Sequence, residues 1–303
     1  MRIAYQNLQR LGNNSDPAKR ANIIKDLRNF SVWWPDYYCF VEFGTSNGDQ
    51  EFRAFGRDLF ASTGRLSKDW GCEYDYCDPH KQGVNNHRGD ETFAVFKADK
   101  SAANQIRMQN TLTYLEAFRT IDAGLRQVRE TFGTRQLARM TIQNAAQNDS
   151  FDLLLAHPSP MNASQAMITL LDFINEQYVA QRRKFLLVGD FNYRPDQQMS
   201  TVGKESIKSI AKALNSAVGD GGLLAMFNFF SKTRSVMDSV SVREIAKFRK
   251  FSVANSGSDT HANMGEIDYV LHSADLQVSK PGVLTRSQPG SDHHALYFDV
   301  TWT

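Results

Sequence analysis

A layered α/β sandwich is the fold class this sequence predicts, on three observations. Short runs rich in β-branched and aromatic residues recur along the whole chain. Stretches with apolar residues at three- and four-residue steps separate some of these runs. Other runs lie close enough in sequence to pair as hairpins. Such a mixture suits packed mixed sheets better than a purely parallel sheet. A hydrophobic fraction of 41% against 22% charged residues is globular composition, enough to fill a layered core. No internal repeat, low-complexity tract or Pro/Ser-rich linker divides the chain, so residues 1–303 are read as one domain.

The elements follow in order. RIAYQNL opens as a strand. Residues 17–30 place Ala, Ile, Leu and Phe at helical spacing, with Asp16 as N-cap. YYCFVEF is a β-rich run ending at Glu42, and residues 50–60 suggest a second helix. Residues 62–90 are rich in Gly, Asp, Asn and His and show no steady period. ETFAVFKAD is a strand. Residues 101–131 carry Ile106, Leu112, Leu115, Phe118, Ile121, Leu125 and Val128 at helical steps and are read as a helical insertion. RQLARMTIQ and FDLLLAH are strands, 163–181 a helix, and KFLLVGD a strand. Residues 203–250 are basic and mainly helical or loop. IDYVLHS and HALYFDVTW close the chain as strands.

No apolar stretch approaches the roughly 20 residues of a bilayer span, so a membrane partner is not expected. MRIAYQNLQRLG lacks the basic and apolar regions of a Sec signal. The expected location is therefore cytoplasmic, or exported without a Sec signal peptide. Three cysteines fit a chain that does not depend on disulfides. Cys72, Cys77, His80 and His87 share one irregular segment, but their spacing is not a usual zinc pattern, and unpaired thiols are the reading preferred over a Cys72–Cys77 disulfide. Net charge is only +2, but Lys97–Arg139 holds eight Lys/Arg against four Asp/Glu, and Gly203–Lys250 nine against four. Either segment suits phosphates or is simply a solvated basic face.

Strand ends carry the chemistry. Asn7, Glu42, His157, Asp190 with Asn192, Asp268, and Asp292 with His293 all sit where an apolar run meets a loop. One such residue alone is usually a solvated end or a turn acceptor. Six strand termini that each present an acid, amide or imidazole are another matter. A charge beside an apolar run costs free energy unless it is paired or bound to metal. Brought to one rim, these groups form a hard-cation site with acid/base groups beside it.

The pieces IAYQNLQ, YCFVE, DETFAVF, LLLAHPSP, LLVGDFNYRP, EIDYVL and SDHHAL, spread over essentially the whole chain, resemble the endonuclease/exonuclease/phosphatase superfamily. GDFN and SDH with the intervening ID are the specific parts. HPSP and GDFN are most similar to the deoxyribonuclease I and cytolethal distending toxin branches. The resemblance implies a four-layer sandwich, two mixed sheets face to face with outer helices, and a Mg²⁺-dependent phosphodiesterase in which Mn²⁺ is able to substitute. It implies Glu42, Asn7 and Asp292 as metal ligands. It implies His293 as the imidazole that deprotonates or orients the attacking water, with Asp268 holding its tautomer. By the same resemblance Asp190 would bind or position the nucleophile, Asn192 would donate to a non-bridging oxygen, and His157 would stabilise the transition-state charge or protonate the leaving oxygen. Glu91 aligns with an acid that pairs with that histidine. Arg135 aligns with a phosphate-contacting arginine, or is a surface charge. Where the family has proline two residues after the SDH histidine, this chain has Ala295.

Tyr193 and Arg194 follow GDFN directly and are read as substrate contacts projecting into the same mouth. Trp33 and Trp34 are read as packing under the first helix. The expected activity is a low-specificity endonuclease, a DNase with nucleic acid as partner. As a secreted toxin or effector it would need an immunity or inhibitor protein. The alternative is a phosphatase or phospholipase of the same fold acting on inositol phosphates or sphingomyelin. A non-catalytic module is disfavoured because every expected position is filled.

Overall fold

The computed structural model describes residues 1–9, 11, 17–29, 35–43, 49–61, 72–77, 92–98, 106–108, 112–114, 137–158, 160, 163–200, 239–285 and 290–303. In chain order these form β1 (Arg2–Asn7), α1 (Pro17–Asn29), β2 (Tyr37–Val41), α2 (Asp49–Ala61), β3 (Cys72–Cys77) and β4 (Phe93–Ala98). β5 (Ile106–Met108), β6 (Thr113–Tyr114), β7 (Ala138–Asn144), β8 (Asp149–Ala156), α3 (Ala163–Ile174) and β9 (Phe185–Asp190) follow. Then come β10 (Gln198–Ser200), β11 (Ser239–Ser241), α4 (Val242–Phe248), β12 (Phe251–Ala254) and β13 (Asp268–Ser273). β14 (Leu276–Val278), β15 (Gly282–Leu284) and β16 (Ala295–Trp302) complete the order.

Two mixed sheets result. The first runs β14-β16-β1-β2-β4-β3, with β15 also on β16; the second runs β12-β13-β9-β8-β7-β5, with β6 on β7. β1 and β2 are parallel, as are β8 and β9, the latter pair joined by a crossover through α3.

Side-chain alternation sets the layers. Ile3, Tyr5, Cys39, Val41 and Val95 of the first sheet share one core with Met140, Leu153, Leu155, Leu186, Val188 and Val270 of the second. The next residue along each strand points the other way. Ala4, Tyr38, Phe40, Ala94 and Phe96 pack under Ile23 and Leu27 of α1 and Phe52, Phe55 and Leu59 of α2. Leu154, Ala156, Leu187, Tyr269 and Leu271 pack under Met167, Leu170 and Leu171 of α3 and Ile245 of α4. The architecture is the four-layer α/β/β/α sandwich. It also explains why KFLLVGD is apolar throughout: both faces of β9 are covered. Ser241 starts α4 through a capping box: its Oγ accepts from Glu244 N at 3.3 Å, and Glu244 Oε2 accepts from Ser241 N at 2.7 Å.

Some elements differ from expectation. CEYDYC, read as irregular, is strand β3, paired antiparallel with β4. Cys72 and Cys77 lie at opposite ends of it, about 16 Å apart at the usual strand rise, which rules out a disulfide between them. Within the expected 101–131 helix, 106–108 and 113–114 are strands on β7; the remainder lies outside the described residues, apart from the buried Leu112. Helix 163–181 ends earlier, at Ile174, and continues as one π-turn over Asn175–Val179. That turn brings Tyr178 inward, where its hydroxyl donates to Asp152 Oδ2 at 3.1 Å. Asp16, Trp33, Trp34, His80 and His87 lie outside the described residues.

Candidate functional site

Strand direction gathers the polar ends. Parallel β1 and β2 both finish at one edge, at Asn7 and just before Glu42. Antiparallel β16 begins at that edge, since Tyr5 is opposite Leu296. In the second sheet, β8 and β9 finish together, at Ala156 and Asp190, and β13 begins there with Asp268 opposite Asp190.

The six side chains from these ends form one connected cluster. Asp190 Oδ2 is its hub: Asn7 Nδ2 donates to it at 3.0 Å, His293 Nε2 lies at 3.4 Å and His157 Nε2 at 3.5 Å. His157 Nε2 is also 3.1 Å from Glu42 Oε1. His293 Nδ1 is 2.9 Å from Asp268 Oδ2. Asp190 Oδ1 accepts from the backbone N of Asn192 at 2.9 Å. Asn192 Nδ2 in turn donates to Pro158 O at 3.0 Å, so the GDFN turn is tied to the HPSP turn. Glu42 and Asn192 hold left-handed backbone, φ 52° and 51°. Non-glycine residues seldom adopt it unless the surroundings fix it, as often happens at functional sites.

Residues the sequence reading passed over hold this cluster in place. Thr260 Oγ1 accepts from the backbone N of both Ile267 and Asp268, at 3.0 and 2.9 Å. Ser291 Oγ donates to Asn7 O at 2.6 Å and accepts from His293 N at 3.1 Å. Gln6 Nε2 donates to His293 O at 3.0 Å. Asp292 lies beside the hub, its Oδ2 accepting from Gln9 Nε2 at 3.0 Å and standing 3.2 Å from His261 Nε2. Asp268 Oδ1 and Asp292 Oδ1 are buried with no hydrogen-bond partner among the described residues.

The expected substrate contacts fare differently. Tyr193 is 4% exposed and sits in the core under α3, not in the mouth. Left-handed Asn192 turns the chain, so the next side chain points inward. Arg194 is exposed, with Nε 3.5 Å from Asp196 Oδ1, and its side chain passes beside Gly265 in the loop that carries His261. Arg135 and Glu91 lie outside the described residues.

Electrostatics set the protonation states. Burial pushes the Asp190 carboxyl up; His293 opposes this and Asp268 adds to it, leaving a value of about 6. Burial alone would lower the His293 imidazole, but the carboxylates of Asp268 and Asp190 outweigh it and raise it to about 10. His261 is lowered, by burial and by the neighbouring His293. A raised histidine value stabilises the fold fully below its ordinary 6.5, and that contribution is lost as pH climbs through about 10. The melting temperature of the metal-free protein is therefore expected to fall between pH 6.5 and 10. His293→Ala should flatten that decline in a calorimetric pH series, and an equally steep decline in the variant would refute the assignment.

Four carboxylates, Glu42, Asp190, Asp268 and Asp292, stand against two imidazoles at the hub. Oxygen donors from Glu42, Asp190, Asp292 and Asn7, with Asp292 Oδ1 accepting no hydrogen bond among the described residues, suit a hard divalent cation.

The sequence profile of the Endonuclease/Exonuclease/phosphatase family matches residues 4–293. The chain belongs to that family. Endonuclease/Exonuclease/phosphatase proteins are hydrolases of phosphoester bonds that generally use a divalent metal, and the acid- and imidazole-rich rim agrees with that chemistry. The human nocturnin catalytic domain with bound sulfate superposes with a TM-score of 0.53 at 17% identity, covering 100% of this chain and 94% of that one. The mannosyl-6-phosphatase of Bacteroides thetaiotaomicron VPI-5482 gives 0.51 at 11% identity over 100% of both chains. The endonuclease domain of TRAS1, a telomere-specific non-LTR retrotransposon, gives 0.50 at 10% identity, covering 99% and 98%. At such identities the likeness establishes the shared fold. By sequence, no curated protein matches the chain. Among the described residues no helix is long and apolar enough to cross a membrane.

Proposed function

We propose that this family member is a divalent-metal-dependent endonuclease that cleaves DNA with little sequence preference. The observation that carries the reading is the Asp190 hub, where an amide, two imidazoles and the Glu42 carboxylate converge on one buried rim. The basic balance of Lys97–Arg139 and Gly203–Lys250 favours a polyanionic substrate.

Glu42, Asn7 and Asp190, with Asp292 beside them, would hold the cation. Bound there, Mg²⁺ or Mn²⁺ would offset both the charge developing on the phosphoryl oxygens and the carboxylate field that keeps His293 protonated. His293 takes a proton from the attacking water at Nε2, while Nδ1–H stays on Asp268 and fixes the ring. His157 Nε2, facing Glu42 and Asp190, donates to the phosphoryl or leaving oxygen. Asn192 gives a further neutral donor to a non-bridging oxygen.

Purified protein is expected to nick supercoiled plasmid with Mg²⁺ and to stop with EDTA. Activity should fall steeply with salt, by a log–log slope of about −0.9 per phosphate contact. RNA and phosphoinositide substrates run in parallel define the substrate class. Intact plasmid alongside hydrolysis of a small phosphoester would overturn the endonuclease reading.

A further inference from the structure

His261 belongs to none of the motifs that mark the site, yet it stands against both Asp292 and His293. Its ring meets the His293 ring edge-on, with centroids 4.7 Å apart and planes at 85°. The backbone locks the two segments together. His261 and His293 form a β-bridge, Ala262 N donates to Asp292 O at 3.0 Å, and His294 N donates to Thr260 O at 2.7 Å.

The decisive contacts are at Nδ1. The backbone N–H groups of Asn263 and Met264 both donate to it, at 3.0 and 3.1 Å. A backbone N–H only donates, so Nδ1 is bare and the ring proton sits on Nε2. Nε2 faces Asp292 Oδ2 at 3.2 Å, and Gln9 Nε2 donates to the same oxygen at 3.0 Å. Two fixed donors on Oδ2 set the carboxylate plane. They leave Oδ1 buried, without a hydrogen bond among the described residues, and 3.8 Å from His293 Nε2. One ligand atom from each of His261, Asp292 and His293 falls within 4.8 Å of the others, a spacing that would also suit a metal. The two backbone donors argue against ligation by His261, because a ligating Nε2 would force a proton onto Nδ1.

We infer that His261 is a positioning residue that clamps Asp292 Oδ2 and thereby turns Oδ1 toward the catalytic rim as an open acceptor for the cation. The inference rests on the divalent-cation reading of the site. Its role is to raise cation affinity through Asp292, as outer-shell donors do for metal-ligating carboxylates.

The test titrates Mn²⁺ alone into the full-length protein, followed by electron paramagnetic resonance, with Tm recorded for each variant. His261→Ala is expected to weaken Mn²⁺ binding by about 10-fold. His261→Gln, whose amide can both accept from the loop and donate to Asp292, should restore affinity to within about 3-fold of wild type at unchanged Tm. ¹⁵N spectra of the metal-free protein should show His261 protonated at Nε2 only. Wild-type affinity in His261→Ala overturns the inference while leaving the cation site standing. Protonation at Nδ1, or failure of His261→Gln to restore binding, also overturns it. Wild-type protein that binds no Mn²⁺ overturns the reading of the site itself.

Discussion

Asp190→Asn is expected to lower hydrolytic turnover by about 10²–10³. In the wild type, Asp190 Oδ2 faces Asn7 Nδ2, His157 Nε2 and His293 Nε2, while Oδ1 accepts from Asn192 N. Asparagine has one acceptor oxygen for those two positions, so its NH₂ must oppose either the Asn192 amide or the Asn7 amide, and the charge that aligns both imidazoles is lost. A plasmid-nicking rate within about tenfold of wild type would refute this role. Stability should respond in a separate, pH-dependent way. The Asp190 carboxyl is raised from 3.8 to about 6, so its contribution is present below pH 3.8 and lost as pH rises through 6. The variant cannot lose what it never titrates. Whatever the amide mismatch costs, the Tm gap between variant and wild type should shift in favour of the variant from pH 4 to 6. That window lies below the range in which the His293 contribution is lost.

Gly189→Ala should do the greatest damage to the fold. A Cβ at Gly189 would stand 2.2 Å from Ala156 O and 2.9 Å from Ala156 C. Both obstacles are backbone, and Ala156 is the register partner of Gly189 across the parallel β8–β9 seam. Overpacking typically costs about 1–3 kcal/mol, and a rigid carbonyl obstacle places this case at or above the top of that range. That is a large share of the ~5–15 kcal/mol by which domains are stable. Separation of the two strands also displaces His157 and Asp190, the residues that follow the clashing pair. Urea unfolding should therefore show a much lower midpoint, and any folded fraction should be poorly active. Gly257→Ala is the control: its φ is +73°, and only Lys280 Nζ, at 3.8 Å, is near. There the cost should be the smaller one of left-handed backbone alone, about 1–2 kcal/mol. Equal midpoints for the two variants would refute the steric account.

The sequence disclosed the sandwich where burial leaves a strong pattern. FLLVGD is apolar because two cores cover β9, and Asp190 stands out because it ends such a run. CEYDYC was opaque because β3 lies at the end of its sheet and carries Glu73 and Asp75 in place of an aliphatic pattern. The three- and four-residue steps from Leu112 to Val128 read as a helix and masked the strand period of Ile106 and Met108, which shows only in their pairing with β7. Tyr193 was misplaced because sequence proximity to Asn192 says nothing about which way a left-handed turn sends the next side chain. Gln9 and His261 act through contacts that cross large sequence separations, as in Gln9 to Asp292, and local pattern carries no trace of such pairings.

The pairing of β1 with β16 has a consequence for synthesis. Tyr5 lies opposite Leu296, so the first strand waits for nearly the whole chain before it gains its antiparallel neighbour. On the reading proposed above, a nascent chain that still lacks Asp292 and His293 holds Glu42, His157 and Asp190 but not the imidazole that would accept the water's proton. The site is therefore expected to be complete only once β16 has docked on β1.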